Sequence, residues 1–444
     1  MIGEWQTLAF SEAVEINPAV RLKFGEVYPF VDMQAVDPNS RTVLASEFRP
    51  FSGGGAKFQP GDTLMARITP CLENGKIARF FSGDQQSLAH GSTEFIVIRG
   101  KEGITDNDFV YYLARSEIVR DYAISQMTGT SGRQRVPTEA LAHLYVPIPP
   151  LKEQQTIAEI LGALDDKIEL NRRMNQTLEA MAHAIFKSWF VDFEPVRAKI
   201  DGRWRRGQSL PGLPANLYDL FPDSFEDSDL GKIPRGWRIA PIGETVQVVG
   251  GSTPRTEESS FWDDGVHCFA TPKDLSQLDG PILFATQRKI TDSGLAEIGS
   301  GLLPVGTVLL SSRAPIGYTA IAETPVAVNQ GIAAVLCGDT VPNYYAYFWI
   351  KENLDVILSH ANGSTFLEIS KGNLRRIDML APQRRILNRF CDFVAPLFRR
   401  LTDNLTDSRT LAAIRDALLP KLISGELRIG DAKAMVREAV WWRN

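Results

Sequence analysis

The chain of 444 residues carries a formal net charge of −5, with 44% hydrophobic and 23% charged residues. That balance suits a globular protein of two or three domains and excludes one that coats nucleic acid indiscriminately, because such binding rests on a surplus of Lys and Arg against phosphate. No run of about 18 apolar residues occurs and Met1-Ile-Gly-Glu-Trp5 lacks the regions of a signal peptide, so a cytoplasmic protein with no membrane contact is expected. Cys71, Cys268, Cys337 and Cys391 form no Cys-x-x-Cys pair, which points to free thiols.

Residues 1–150 hold short β-branched and aromatic runs broken by Gly, Pro, Asn and Asp, the pattern of a β-dominated α+β domain. Glu94-Phe-Ile-Val-Ile98 reads as one of its strands. Loops of this block carry Lys57, Arg67, Lys76, Arg79, Arg133, Gln134 and Arg135, residue types suited to phosphates and base edges. Each is equally at home as a solvated loop residue, and Gly129 is most simply a turn glycine.

Residues 151–194 predict a long helix. Ile157, Leu161, Leu164, Ile168, Asn171, Leu178 and Ile185 follow the alternating four-and-three spacing of a heptad seam, apolar at the ends and polar at the centre. Residues 195–232, rich in Pro and Gly and containing Arg203-Trp-Arg-Arg206, read as a linker.

A second block of the same character spans 233–382 and places Ser311, Ser312, Arg313, Tyr318, Asn329, Gln330, Ser364 and Thr365 as candidate contacts. A second helix is expected over 383–427, with Val394, Leu397, Leu401, Asn404, Leu411 and Leu418 on its seam and a kink or restart at Pro396. A tail closes the chain over 428–444.

The two halves repeat each other. Ile157-Ala-Glu-Ile-Leu161 matches Phe390-Cys-Asp-Phe-Val394 about 233 residues further on, and Pro149, Leu144 and Trp5 match Pro382, Ile377 and Trp237. Phe58 to Arg67 parallels Leu303 to Ser312, each followed by a proline, Pro70 and Pro315. A period this long signals a duplicated domain, whose natural arrangement is a pseudo-twofold pair. Helices related by such an axis run antiparallel, which would set Asn171 near Asn404 as a register device. Some 38 helical residues make a rod of roughly 57 Å, long enough to hold two readers about one to one and a half DNA turns apart.

Catalytic motifs are missing. Gly53-Gly-Gly55 ahead of Lys57 lacks phosphate-loop spacing, and His90, His143, His183, His267 and His360 form no i,i+4 metal pair. Nor is there an Asn-Pro-Pro-Tyr or Asp-Pro-Pro-Tyr segment of the kind amino-methylating DNA methyltransferases use.

Four phrases in order resemble one family, the specificity subunits of type I restriction-modification systems. They are Val146-Pro-Ile-Pro-Pro-Leu-Lys-Glu-Gln154, Lys187-Ser-Trp-Phe-Val-Asp-Phe-Glu-Pro195, Leu230-Gly-Lys-Ile-Pro-Arg-Gly-Trp237 and Leu418-Leu-Pro-Lys-Leu-Ile-Ser-Gly-Glu-Leu427. The resemblance spans essentially the whole chain. It implies a non-catalytic subunit with two target-recognition domains, each reading one half of a bipartite asymmetric site on double-stranded DNA. It further implies that the two long helices form an antiparallel coiled coil that docks two adenine-methyltransferase subunits. S-adenosylmethionine would then bind in the methyltransferase partner, and ATP and Mg in the restriction/translocase partners of larger assemblies. Ala381-Pro-Gln-Arg-Arg-Ile386 departs from the family phrase that enters the first helix. Two other readings stay open: an enzyme in its own right, and a coiled-coil adaptor whose blocks bind protein.

Overall fold

A computed structural model describes residues 5–83, 87–130, 132–338, 340–363 and 367–441. The chain divides into two units, one of residues 1–171 with 406–444 and the other of residues 172–405. Each unit therefore holds one sheet domain and half of each long helix. This differs from the expected block followed by its own helix.

Within the first unit a five-stranded sheet runs in the order Val14–Ile16, Phe95–Gly100, Thr63–Ala66, Ile77–Phe80, Thr42–Val43. The second unit repeats it as Gln247–Gly250, Ile332–Leu336, Val308–Ser311, Thr319–Ala322, Ile282–Leu283. In both sheets every neighbour is antiparallel except the last pair, which is parallel. The central strands Thr63–Ala66 and Val308–Ser311 are buried along their whole length, which is why they read as apolar runs rather than alternating ones. A smaller sheet accompanies each: Glu47–Pro50, Val27–Val31, Ala89–Gly91 and Ala56–Phe58 in the first unit, Arg288–Ile290, His267–Ala270 and Val326–Val328 in the second. A two-stranded ladder of Gln6–Ala9 with Tyr145–Ile148 closes the first domain, and Arg238–Pro241 with Asp378–Ala381 closes the second.

Each domain meets the long helices through one aromatic-rich helix. Asn107–Arg115 starts where Asp106 accepts from the Asp108 and Phe109 amides, a side-chain cap, and buries Phe109 to Ala114. Asn343–Glu352 does the same work in the second domain, burying Tyr345 to Ile350. The Pro149-Pro150-Leu-Lys-Glu-Gln154 phrase also has a physical reading. Gln154 is fully buried, donates to the Ile104 and Pro149 carbonyls and accepts from the Asp106 amide, so it ties the helix entry to the cap of Asn107–Arg115.

The long helices span Leu151–Phe190 and Arg384–Ile423. In the first unit Ile157, Leu161, Leu164, Leu411 and Leu418 share one core, with Ile168 packed against it. Asp165 pairs with Arg415 at 2.7 Å and Asn171 with Ser408 at 3.2 Å. In the second unit Val394 and Leu401 lie in the core, with Leu178, Ile185 and Leu397 against it. There Asn404 donates to Asn175 at 2.9 Å, and the Phe190 and Phe390 rings meet at 5.2 Å. The partner's number falls as the residue number rises, so the helices are antiparallel. Asn171 and Asn404 are both 1% exposed. Asn171 donates to Ser408, one turn along from Asn404, and Asn404 donates to Asn175, one turn along from Asn171. Pro396 does not break the second helix, because it sits on the exposed face, where water serves the carbonyl that loses its donor.

Residues expected as a linker are instead packed. Helix Glu194–Ile200, the turn of helix Ala215–Leu220 and the hairpin Phe225–Ser228 with Gly231–Pro234 occupy this stretch. Trp204 is 1% exposed and donates to the Gln208 carbonyl, and Leu213, Leu217 and Phe221 join the core of Trp189 and Phe390. The basic cluster is largely spoken for, Arg203 by Glu194 and Asp201, Arg206 by Asp219. The tail likewise contains a helix, Ile429–Trp441.

A buried acceptor stripped of its donor, as Asn175 Oδ1 would be without Asn404, costs about 1–3 kcal/mol, whereas replacing both members is nearly neutral. Asn404→Leu alone should therefore lower stability by about that amount, and Asn175→Leu with Asn404→Leu should recover most of it in a double-mutant cycle followed by denaturant unfolding. Additive losses would show that the Asn175–Asn404 bond carries no coupling.

Candidate nucleic-acid interface

Three stretches meet at one end of the five-stranded sheet in each domain. In the first they are the turn after Thr63–Ala66, the approach to Phe95–Gly100, and a returning loop from Thr128 to Arg135. The Arg67 amide donates to Glu94 O at 2.9 Å, the Val136 amide to Arg67 O at 2.8 Å, and Thr128 and Arg135 exchange amide bonds at 3.0 and 2.9 Å. In the second domain the Ser312 amide donates to Gly331 O at 2.8 Å, the Ile369 amide to Ser312 O at 3.0 Å, and Asn362 and Glu368 exchange bonds at 2.9 and 2.8 Å. The returning loops open on Gly129 and Gly363, at φ 126° and 119°, values that favour glycine. One backbone frame is thus built twice.

Superimposing the two hydrogen-bond patterns puts Arg67 on Ser312, Arg135 on Glu368 and Glu94 on Gly331. The frame is common and the side chains are not. Pro70 and Pro315 occupy matching places, each after a cis peptide bond.

The candidate side chains sort by what they already touch. Arg135 grips Glu94 with Nε and Nη2, the latter at 2.7 Å, and this pairing raises its pKa above the ordinary arginine value. Arg79 pairs with Asp108 and Lys76 donates to the Met33 carbonyl at 2.7 Å, so both act inside the domain. Arg67 donates to Val136 O at 2.8 Å, while its Nε is buried without a partner. Lys57 stands 5.2 Å from the centre of the Phe51 ring. Arg133 is exposed and Gln134 half-buried, and neither side chain bonds to another described residue. These two are the reaching groups of the returning loop.

In the second domain Ser311 is fully buried, donates to Pro315 O and accepts from the Tyr318 amide, which makes it a brace of the turn. Ser312 is also fully buried. Arg313 lies 4.0 Å from Glu368, and Tyr318 is exposed. The Asn329 side chain accepts from the Gly331 amide, and the Gln330 side chain accepts from Thr253 at 2.7 Å. Ser364 and Thr365 lie outside the described residues.

Four participants escaped the sequence reading: Glu94, Glu368, Thr253 and Lys371. Lys371 donates to the Gln330 carbonyl at 2.6 Å, and burial pushes its ammonium below the usual lysine value, with Glu368 opposing and Arg313 adding to the drop. Each joins a partner far along the chain, so spacing offered no signal. Among the described residues no group of His, Cys, Asp and Glu is placed to hold a metal ion. No described helix is long and apolar enough to cross a membrane.

Fold and loops together define a class: a protein with two α+β domains of one topology, each presenting a different set of polar side chains on the same loop frame. The family described as type I restriction modification DNA specificity domain matches residues 21–180 and 234–405. The chain is 28% identical to the type I restriction enzyme HindI specificity subunit of Haemophilus influenzae, over 96% of this chain and 100% of that one. It is 35% identical to the MjaIX specificity subunit of Methanocaldococcus jannaschii, over 74% of this chain and 71% of that one. The fold is similar to that of the crystal structure of the type I restriction-modification system S subunit from M. genitalium, at 14% identity and a TM-score of 0.50, covering 95% and 96% of the two chains. The chain belongs to this family, as a specificity subunit of the type I restriction-modification kind.

Arg79→Ala removes a partner of Asp108 from a site where the arginine is only 19% exposed, and should cost about 1–3 kcal/mol. Arg133→Ala should stay within about 0.5 kcal/mol of the parent in the same unfolding experiment. Equal losses would mean that the Arg133 side chain braces its loop.

Proposed function

We propose that each domain reads one half of a bipartite, asymmetric site on double-stranded DNA, the first through the loops bearing Arg133 and Gln134, the second through those bearing Arg313, Tyr318, Asn329 and Gln330. The observation that supports this reading is the shared loop frame carrying unlike side chains, as two readers of unlike sequences require. Arginine pairs bidentately with guanine, and Asn or Gln with adenine, in the major groove. Ser, Thr and Lys more often hold phosphates and set position.

The chain is a reader and scaffold without chemistry of its own. Its long helices set the spacing between half-sites and dock two adenine-methyltransferase subunits, which bind S-adenosylmethionine. Restriction/translocase subunits, using ATP and Mg, join through these.

The test is to co-express the chain with its neighbouring methyltransferase and map methylated adenines across a plasmid by single-molecule sequencing. The expected result is a two-part motif with methylation in both halves. Arg133→Ala should relax one position in one half-site, and Arg313→Ala one position in the other, each at about 1–3 kcal/mol of discrimination. A stable complex that methylates without any motif would favour a structural adaptor instead.

A further inference from the structure

We infer that a cleft in the first domain, walled by Lys57 and Arg67, seats a backbone phosphate of the DNA half-site read by that domain, and that the second domain has no counterpart. The inference rests on the DNA reading proposed above. The cleft measures about 460 Å³ and is lined by Asn17, Gly55, Lys57, Arg67, Thr93 and Phe95 among others, with no carboxylate in its wall. The amide side chain of Asn17 is already engaged, its Oδ1 accepting from the Val97 amide at 2.9 Å.

The two cations of the cleft are among the candidates whose charge no carboxylate balances. Arg79, Arg135 and Arg313 each face a carboxylate. Neither Lys57 nor Arg67 has an ion pair among the described residues. Lys57 rests against the face of Phe51, which orients an ammonium without neutralising it. Arg67 spends one nitrogen on the Val136 carbonyl and keeps Nε buried with no acceptor. An anion entering the cleft would neutralise both charges. Phosphate matches this need, since Arg and Lys together supply a planar fork and a point charge.

The second domain is built differently at each of these places. Ser312 stands where Arg67 does. The strand Ala56–Phe58 that carries Lys57 pairs along Ala89–Gly91 as a fourth strand, whereas the matching stretch of the second domain makes a single bridge, Leu303 with Val326, and has Leu302 at the place of Lys57. Gly251, at the place of Ala19, runs so close to its neighbour that a Cβ there would lie 1.6 Å from the Val328 carbonyl oxygen.

Seating a phosphate releases counterions, so the slope of log affinity against log salt changes by about 0.9 for each contact. The experiment uses the full chain assembled with its methyltransferase partner and a duplex bearing the motif mapped for that complex, titrated between about 50 and 200 mM KCl. Lys57→Gln should make the slope shallower by about one and leave the mapped motif unchanged. Lys57→Arg should keep the parental slope. A parental slope in Lys57→Gln, a shallow slope in Lys57→Arg, or an altered base preference in the first half-site would each overturn the phosphate seat. If the unmodified complex binds its motif no better than a scrambled duplex, the DNA-reading proposal itself fails. A Lys57→Gln complex that binds its motif with the parental slope sinks only the cleft.

Discussion

Three elements of the first unit converge on one carboxylate. Asp165 of the first long helix takes the Arg415 guanidinium of the second at 2.7 Å and the hydroxyl of Tyr112, from the domain's aromatic helix, also at 2.7 Å. Asp165 is 6% and Arg415 7% exposed, so water serves neither charge; Asp165 depends on Arg415, which also bonds Asp416 at 2.8 Å. Burial holds the Tyr112 hydroxyl protonated far above the ordinary tyrosine range, which keeps it a donor. The second unit reaches the same end with other residues: Glu179 accepts from the Tyr347 hydroxyl at 2.7 Å and from Lys351 at 2.5 Å. In each unit the sheet domain is thereby pinned to the helices by directional bonds as well as by apolar packing. Packing alone tolerates sliding, and a charge pair with a hydroxyl on one oxygen does not.

That pinning gives the loops a fixed base, and the loop frame is fixed in turn by backbone bonds that do not depend on side-chain identity. Side chains facing outward are then free to differ. The exchange of Arg67 for Ser312, and of the Arg135–Glu94 pair for the Arg313–Glu368 pair, leaves every backbone bond of the frame in place. A net charge of −5 is compatible with contact to a polyanion only if cations are concentrated locally. Arg79, Arg135 and Arg313 are paired with carboxylates inside their own domains, which leaves Lys57, Arg67, Lys76 and Arg133 without one, Lys76 being held by the Met33 carbonyl.

The heptad seam and the duplication were legible in the chain because each is a matter of spacing along one dimension. Ile157, Leu161 and Leu164 are buried as their spacing required, and the matched strands do occupy matched places. Pro and Gly density misled at residues 195–232, where Trp204, Leu213, Leu217 and Phe221 supply enough apolar surface to fold the stretch onto a core. Pro396 misled in the opposite sense, since the cost of a missing amide depends on whether its acceptor faces water.

By itself, then, the sequence determined the repeat, the two helices, their polar centre and the family to which the chain belongs. Those features follow from local periodicity and from phrases read in order. Only the tertiary structure decided that each domain owns half of both helices, that Asn171 meets Ser408 and Asn404 meets Asn175, and that Arg79 and Arg135 are tied down while Arg133 is not. Such choices depend on which side chains face one another across tens or hundreds of intervening residues. Burial, charge pairing and the reach of a side chain settle them in three dimensions.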